Sequence, residues 1–400
     1  MRNLTYYLII LLSVIFFVLN IIFNIHVKEF QHFSFLANSF LQGKLYFIDQ
    51  YSSWWHDAVF FSGNYYWPQG PLPAVILMPF VYWFNRLGLF FYQSYIQIFL
   101  NIGIYFLVYT ISMRFKYTKT ESLFFAFAFV FASTFLGVSF WPTGWFFSQV
   151  VTTFFLFLAL KEFVTKKRPW VLGILFGLVL LTRVTAFLGI LFILWQIFFD
   201  NKLNIEKKIK SYLLIAIGVA PFILFFLLYN YLRFGNFFEQ GYSLQSIAGN
   251  LSSNEAYGLF NLVHIPGNIY YFLISPPTPV FKDSFSHILT PPFIKADPWG
   301  LGIIFTSPYL FYLLLLDYKD KISAGLILTI IIIAVPIFMY YGIGWFQFGY
   351  RYSLDFLPFL FFIFMRNYKR KFGKMSRFLK FLIIASAIFN FYLFRTIFNV

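Results

Sequence analysis

The chain has 400 residues, of which 60% are hydrophobic and only 11% charged. Soluble globular proteins carry about 25% charged residues, so this composition excludes a water-soluble fold. It points to a single integral membrane domain over 1–400 rather than two or three soluble ones. There is no cysteine, which excludes disulfides, thiolate metal sites and thiol nucleophiles. The net charge of +16 would suit nucleic acid, but loops gathered on one side of a bilayer explain it more simply, and no nucleic-acid partner is expected.

Taken in chain order, the first apolar run, about 4–23, follows only Met1-Arg2-Asn3 and lacks a small-residue cleavage site, so it reads as a retained span. The next run, 71–84, is short and holds Pro71, Pro73 and Pro79, which suits a re-entrant or interfacial segment. Further spans are predicted at about 95–113, 122–140, 145–163, 170–182, 184–199, 211–232, 301–316, 323–341, 351–365 and 378–397. The sum is an all-α polytopic protein of about 11 transmembrane helices, N-terminus in and C-terminus out.

Charge supports that division. The inner loops then hold Arg2; Arg114, Lys116 and Lys119; Lys161, Lys166, Lys167 and Arg168; and Lys202, Lys207, Lys208 and Lys210. Lys319 and Lys321 follow, then Arg366, Lys369, Arg370, Lys371, Lys374, Arg377 and Lys380, so twenty-one of the 30 basic residues fall inside. Counting 71–84 as a crossing, or fusing 170–199 across Arg183, reverses every later loop. The many phenylalanines, 63 in all, read as a compositional bias of the spans, since Phe is well tolerated in lipid.

Polar chemistry gathers on the opposite side. All five histidines and the two longest loops, 24–93 and 233–300, lie outside. Loops of that length are functional or disordered, and their Tyr, Trp and Phe content argues for folded ones. In the first loop, Phe30, Phe33, Leu36, Ala37, Phe40 and Leu41 recur at helical spacing before Gly43, predicting an interfacial helix of about four turns. Glu29 is expected at its start, with His32 one turn on and on the same face. A carboxylate there also complements a helix dipole. Asp57 precedes Gly63-Asn64, a hairpin-like turn leading into Tyr65 and Tyr66. Arg183, Arg233 and Arg351 each stand at an outer span end; Arg351 has Asp355 one helical turn away as an ordinary partner. Lys44 and Lys295 are weaker loop candidates. No carboxylate pair has metal-ligand spacing, and no nucleotide-binding glycine motif is present, so no cofactor is expected.

The order Glu29, His32-Phe33, Leu36-Ala37-Asn38, Phe40-Leu41, Gly43-Lys44-Leu45, followed by Asp57, Gly63-Asn64-Tyr65-Tyr66 and Pro71-Leu72-Pro73-Ala74, resembles the first outer loop of GT-C superfamily membrane glycosyltransferases. The likeness is to their protein-mannosyltransferase and aminoarabinose-transferase branch, although the family's usual aspartate is Glu29 here. Gly173, Gly177 and Leu181-Thr182-Arg183 are similar to its Gly-rich span, Tyr229 to Asn236 with Glu239 to Tyr242 to its second outer loop, and Phe348 to Pro358 to a late span. The resemblance implies transfer of a sugar, with inversion, from a polyprenyl-phosphate donor to a protein, lipid or glycan acceptor at the outer face of a cytoplasmic membrane. It implies Glu29 and Asp57 as catalytic carboxylates, with either one as the base, and His32, Tyr66, Arg183, Arg233 and Arg351 as substrate-binding residues. Glu29→Gln is then expected to abolish transfer. The chemistry is consistent with these residue types: a phosphate leaves readily, so one carboxylate suffices for the acceptor proton, and fixed cations stabilise the departing charge. Two other readings of the composition are a lipid-linked glycan flippase or transporter and a glycan polymerase or ligase. Against the first, the spans hold almost no mid-depth ionisable groups and no internal repeat.

Overall fold

The computed structural model describes residues 2–48, 57–245 and 252–398. In chain order the helices begin with α1 (Arg2–His26) and α2 (His32–Leu41), then the hairpin β1 (Val59–Phe61) and β2 (Asn64–Tyr66), then α3 (Leu72–Arg86). Next come α4 (Gln93–Arg114), α5 (Lys119–Phe131), α6 (Phe135–Phe140), α7 (Gly144–Val164), α8 (Pro169–Leu180), α9 (Val184–Phe187), α10 (Ile190–Phe198) and α11 (Ile205–Phe234). The second long loop contains α12 (Ser252–Glu255), α13 (Ile265–Leu273) and the hairpin β3 (Thr278–Phe281) and β4 (Leu289–Lys295). The chain closes with α14 (Ile303–Thr306), α15 (Lys321–Met339), α16 (Leu357–Phe372) and α17 (Arg377–Phe398). Six helices, α1, α4, α7, α11, α15 and α17, are long and apolar enough to cross a membrane. The chain is built as a multi-pass membrane protein.

Contacts between helices give their directions. Ser13 meets Tyr105 and Asn20 meets Asn101, so α1 and α4 are antiparallel. Phe16 against Phe127 and Phe23 against Phe140 make α5 and α6 run with α1. Gln93 reaches Pro142 O while Gly103 abuts Phe154, so α7 runs with α4. Gly173 touches Ile215 and Gly177 touches Phe222, so α8 and α11 are parallel and the chain returns between them through α9 and α10. Both ends of α3 stay at one end of the bundle: Leu72 N donates to Leu181 O (3.0 Å), and Phe84 packs on Phe91 near the start of α4.

Several predicted spans are interrupted rather than continuous. The 122–140 segment breaks between α5 and α6, where Ser133 Oγ donates to Phe129 O and accepts from Phe135 N. The 301–316 segment is α14 and a 3-10 helix (Pro308–Leu315), with Asn390 Nδ2 of α17 capping Thr306 O at 2.8 Å. The 351–365 segment opens as a 3-10 helix (Arg351–Asp355) before α16. Irregular backbone at membrane depth survives only where protein groups satisfy it, and these side chains do so.

The phenylalanines are more than a lipid-tolerated bias. Phe125, Phe127, Phe129 and Phe131 of α5 are all fully buried, so that helix is covered on every side. They pack edge-on against Phe16, Phe157 and Phe361 of neighbouring helices, the geometry ring quadrupoles favour.

The α8–α11 seam depends on small residues. A Cβ on Gly173 would sit 2.3 Å from Ile215 O and 3.1 Å from Gly218 Cα. Backbones this close allow dispersion to hold helices together where lipid offers no hydrophobic drive. Gly173→Leu is expected to cost about 1–3 kcal/mol or more through overpacking, read as a lower melting temperature in detergent. Gly267→Ala, in a helix with open space around it, should leave that temperature unchanged or slightly raised.

The lysine- and arginine-rich loops meet at one end. Tyr117 donates to Met365 O, Met375 N donates to Glu121, and Arg366 and Arg370 both bind Asp320. Burial alone would raise the Asp320 carboxyl, but hydrogen bonds from Ser323 and Arg366 and the Arg366 charge outweigh it and hold its pKa below the ordinary range. A depressed folded-state pKa stabilises above the unfolded value near 3.9, and the gain is lost as pH falls through the folded value. Wild type should therefore melt above Asp320→Asn at pH 7, and the gap should close as pH is taken below about 4.

Candidate functional site

The end of the bundle opposite these basic loops gathers the sequence-predicted residues. Its organising turn lies between α1 and α2. Phe30 takes a left-handed φ of +52°, uncommon for a bulky side chain, and its carbonyl accepts from Gly144 N (2.9 Å), His32 Nδ1 (3.1 Å) and Gln93 Nε2 (3.4 Å). A Cβ at position 144 would lie 2.6 Å from His32 Nδ1, so only glycine admits this approach. The predicted interfacial helix is shorter than four turns: α2 has ten residues and begins at His32, and Gln31 at its N-cap position turns its side chain to Gln93 N instead of capping the helix. Glu29 therefore precedes the helix. It is exposed, whereas His32 is fully buried, so the two do not share a face. Among the described residues Glu29 makes no ion pair; its carbonyl accepts from Gln31 Nε2.

His32 lies flat on Trp67 at 4.1 Å between ring centroids and edge-on to Trp145 at 4.8 Å. Trp67 O accepts from Arg233 Nη1 at 2.7 Å, which joins the first outer loop to the last turn of α11. Arg233 is 4% exposed, donates also to Asn230 Oδ1 (2.9 Å), and stacks over the Tyr229 ring at 4.0 Å. No carboxylate of the described residues pairs with it within 4 Å. Its Nε is buried without a hydrogen-bond partner among the described residues, as are Trp67 Nε1 and the Tyr229 hydroxyl beside it. Tyr66 packs on Phe234 and lies in the electrostatic reach of Arg233, while burial raises its hydroxyl above the usual tyrosine value.

Arg183, the residue before α9, does not remain free for a ligand in the same way. Its Nε donates to Asp355 Oδ1 at 2.5 Å, and Thr185 donates to the other Asp355 oxygen. The pairing expected between Arg351 and Asp355 is thus replaced: Asp355 serves a residue far away in sequence. Arg351, also buried, points its guanidinium at Phe146 (5.4 Å), Tyr352 (5.1 Å) and the Trp345 carbonyl (3.4 Å). Gln149 Nε2 on Arg351 O and Gln347 Oε1 on Arg351 N pin its backbone.

The turn after Asp57 forms one residue earlier than predicted: Ser62 and Gly63 carry φ of +47° and +81°, and Asn64 already pairs with Phe61. Asp57 itself has φ +65°, a conformation aspartate tolerates better than most residues. Its carbonyl accepts from Gln245 Nε2, and Val59 bridges to Gln245, so the two outer loops are stitched together here. Gly241 permits the contact, with φ +103° and a hypothetical Cβ only 2.9 Å from Val59.

Tyr242 sits at the centre, in the electrostatic field of Arg183, Tyr352, Asp355 and Asp57; burial raises its hydroxyl, and Arg183 only partly offsets this. Arg233 feels the same tyrosine. Tyr242, Trp67 and Trp145 were not singled out as site residues from the sequence; Gly241 before Tyr242 was the available signal for a tight turn at this point. His56 lies outside the described residues. No group of three or more His, Cys, Asp or Glu among the described residues could hold a metal ion.

No protein-family model matches the chain, and no curated protein matches it. Among solved structures it is similar to the Archaeoglobus fulgidus oligosaccharyltransferase in its apo form, at 13% identity and a TM-score of 0.45 over 94% of this chain and 55% of that one. The chain thus spans little more than half the length of that structure.

Proposed function

We propose that the protein is a GT-C-like glycosyltransferase that moves a sugar from a polyprenyl-phosphate donor to an acceptor hydroxyl. On this reading the chain crosses the membrane about eleven times, and the basic loops face the cytoplasm. The site then opens to the outer side of the cell membrane. The observation that carries the reading is Arg233: a buried guanidinium with no carboxylate within 4 Å among the described residues, beside further buried donors that find no acceptor among them. Burying an unpaired charge costs several kcal/mol, so such a group at a bundle end marks an anion site, and a lipid-linked phosphate is an anion delivered at that depth. Arg351 gives the same argument a second cation.

In the reaction, the acceptor oxygen bonds to the anomeric carbon as the carbon–oxygen bond to phosphate breaks, with inversion. Polyprenyl phosphate leaves with the bonding electrons, and Arg233 and Arg351 stabilise its charge. Asp57, a carboxylate in the same electrostatic field of Tyr242 as Arg183 and Arg233, takes the acceptor proton. Glu29 stands on the exposed rim beside Phe30.

Donor recognition is testable without knowing the acceptor. Purified protein should bind a polyprenyl phosphate more tightly than the matching polyprenol. Arg233→Met should weaken the phosphate form by roughly 10- to 150-fold, the worth of a hydrogen bond to a charged group, and leave the alcohol unaffected. Equal affinity for both lipids, or an unchanged ratio in Arg233→Met, would remove phosphate recognition from this site.

A further inference from the structure

A second site lies at the opposite, basic end of the bundle and is independent of the transfer reaction. Helix α10 is only nine residues long, and α11 and α15 each pack on it but scarcely on one another. Between them is a groove of about 400 Å³ lined by Leu194, Trp195, Phe198, Tyr212, Leu328 and Ile332, with Gly325 at its floor. That volume falls in the range of ordinary ligand pockets. Its shape is held from within: a Cβ on Gly325 would strike Trp195 Cδ1 at 2.3 Å, Trp195 Nε1 donates to Lys321 O (2.9 Å), and Tyr212 donates to Leu194 O (3.3 Å).

The mouth of this apolar groove is cationic. Lys208 Nζ donates to Phe198 O at 2.6 Å, and Lys321 Nζ lies 5.5 Å from the Phe199 ring centroid. Neither lysine has a carboxylate partner among the described residues, because the nearby Asp320 is taken by Arg366 and Arg370.

We propose that this groove binds an anionic phospholipid, its acyl chain along Leu194, Leu328 and Ile332 and its phosphate between Lys208 and Lys321. Charge complementarity selects this occupant: an apolar trough that ends at two uncompensated ammonium groups matches a tail joined to an anion, and a basic pocket between transmembrane helices is a known solution for such headgroups.

The test is native mass spectrometry of the protein released from nanodiscs made of equal parts phosphatidylglycerol and phosphatidylethanolamine. Wild type should retain phosphatidylglycerol preferentially. Lys208→Gln and Lys321→Gln should each reduce that preference about fivefold, and Leu328→Trp, which fills the groove from its exposed side, should abolish retention of either lipid. Melting temperatures in lipid-free detergent report whether each variant is folded; if Leu328→Trp is not, the paired lysine substitutions on the surface decide alone. Equal retention of the two lipids by wild type overturns the proposal. So does an unchanged preference in the double lysine variant, or displacement of phosphatidylglycerol by decaprenyl phosphate.

Discussion

Asp57→Asn is expected to lower the turnover of sugar transfer by about 10²- to 10⁴-fold, the usual contribution of a positioned general base, while donor affinity stays near wild type. The split follows from geometry. Asp57 lies in the field of Tyr242 and, through it, of Arg183, whose own ion pair is with Asp355. Its removal takes away proton transfer and leaves the arginines, each held by other groups, in place. Asp57→Glu should recover part of the rate. Glu29→Gln, on an exposed carboxylate ahead of α2, is expected to keep turnover within about tenfold of wild type, less than a general base contributes. Measuring kcat and KM for both variants separates the assignments: a silent Asp57→Asn beside an inactive Glu29→Gln would transfer the role of base to Glu29.

The contrast between those two carboxylates shows what was legible in the chain. Glu29 looked favourable because residues 30–41 have helical periodicity, and that helix exists. Periodicity does not reveal where a helix starts, and Phe30 adopts a left-handed turn held by Gly144 and Gln93. Those two partners are more than 60 residues away in sequence. The long apolar passes were readable from hydropathy. Their interruptions were not, because the cap on Thr306 O comes from Asn390 on another helix. Arg183 was correctly placed between two short runs, since a charge there would otherwise sit at mid-membrane depth. The surroundings of Arg233 were not legible, because nothing near it in sequence indicates that Trp67 supplies its carbonyl. Local pattern fixes which residues reach the outer end, and tertiary contacts decide which of them are left with unspent charge.

The Arg183–Asp355 pair carries the second large effect. Asp355 is fully buried and the Arg183 side chain is 13% exposed, so Asp355→Asn leaves a guanidinium in a poorly solvated place and should destabilise the protein by about 3–5 kcal/mol. Arg183→Met leaves the carboxylate stranded instead, with Thr185 its one remaining donor among the described residues, and should cost a similar amount. Because the desolvation of both charges nearly offsets their attraction, removing the two together with Arg183→Met and Asp355→Leu should restore most of the stability. Unfolding measured for all four proteins in the same detergent tests this, and a double variant no more stable than either single would show that the pair anchors more than itself. Activity then separates structure from chemistry. If Arg183 only positions the start of α16 through Asp355, the restored double variant should regain transfer. If its charge also steadies the departing phosphate, that variant will be folded, will bind the polyprenyl phosphate less tightly than wild type, and will remain slow, because hydrophobic replacement returns packing energy and no electrostatic stabilisation of the transition state.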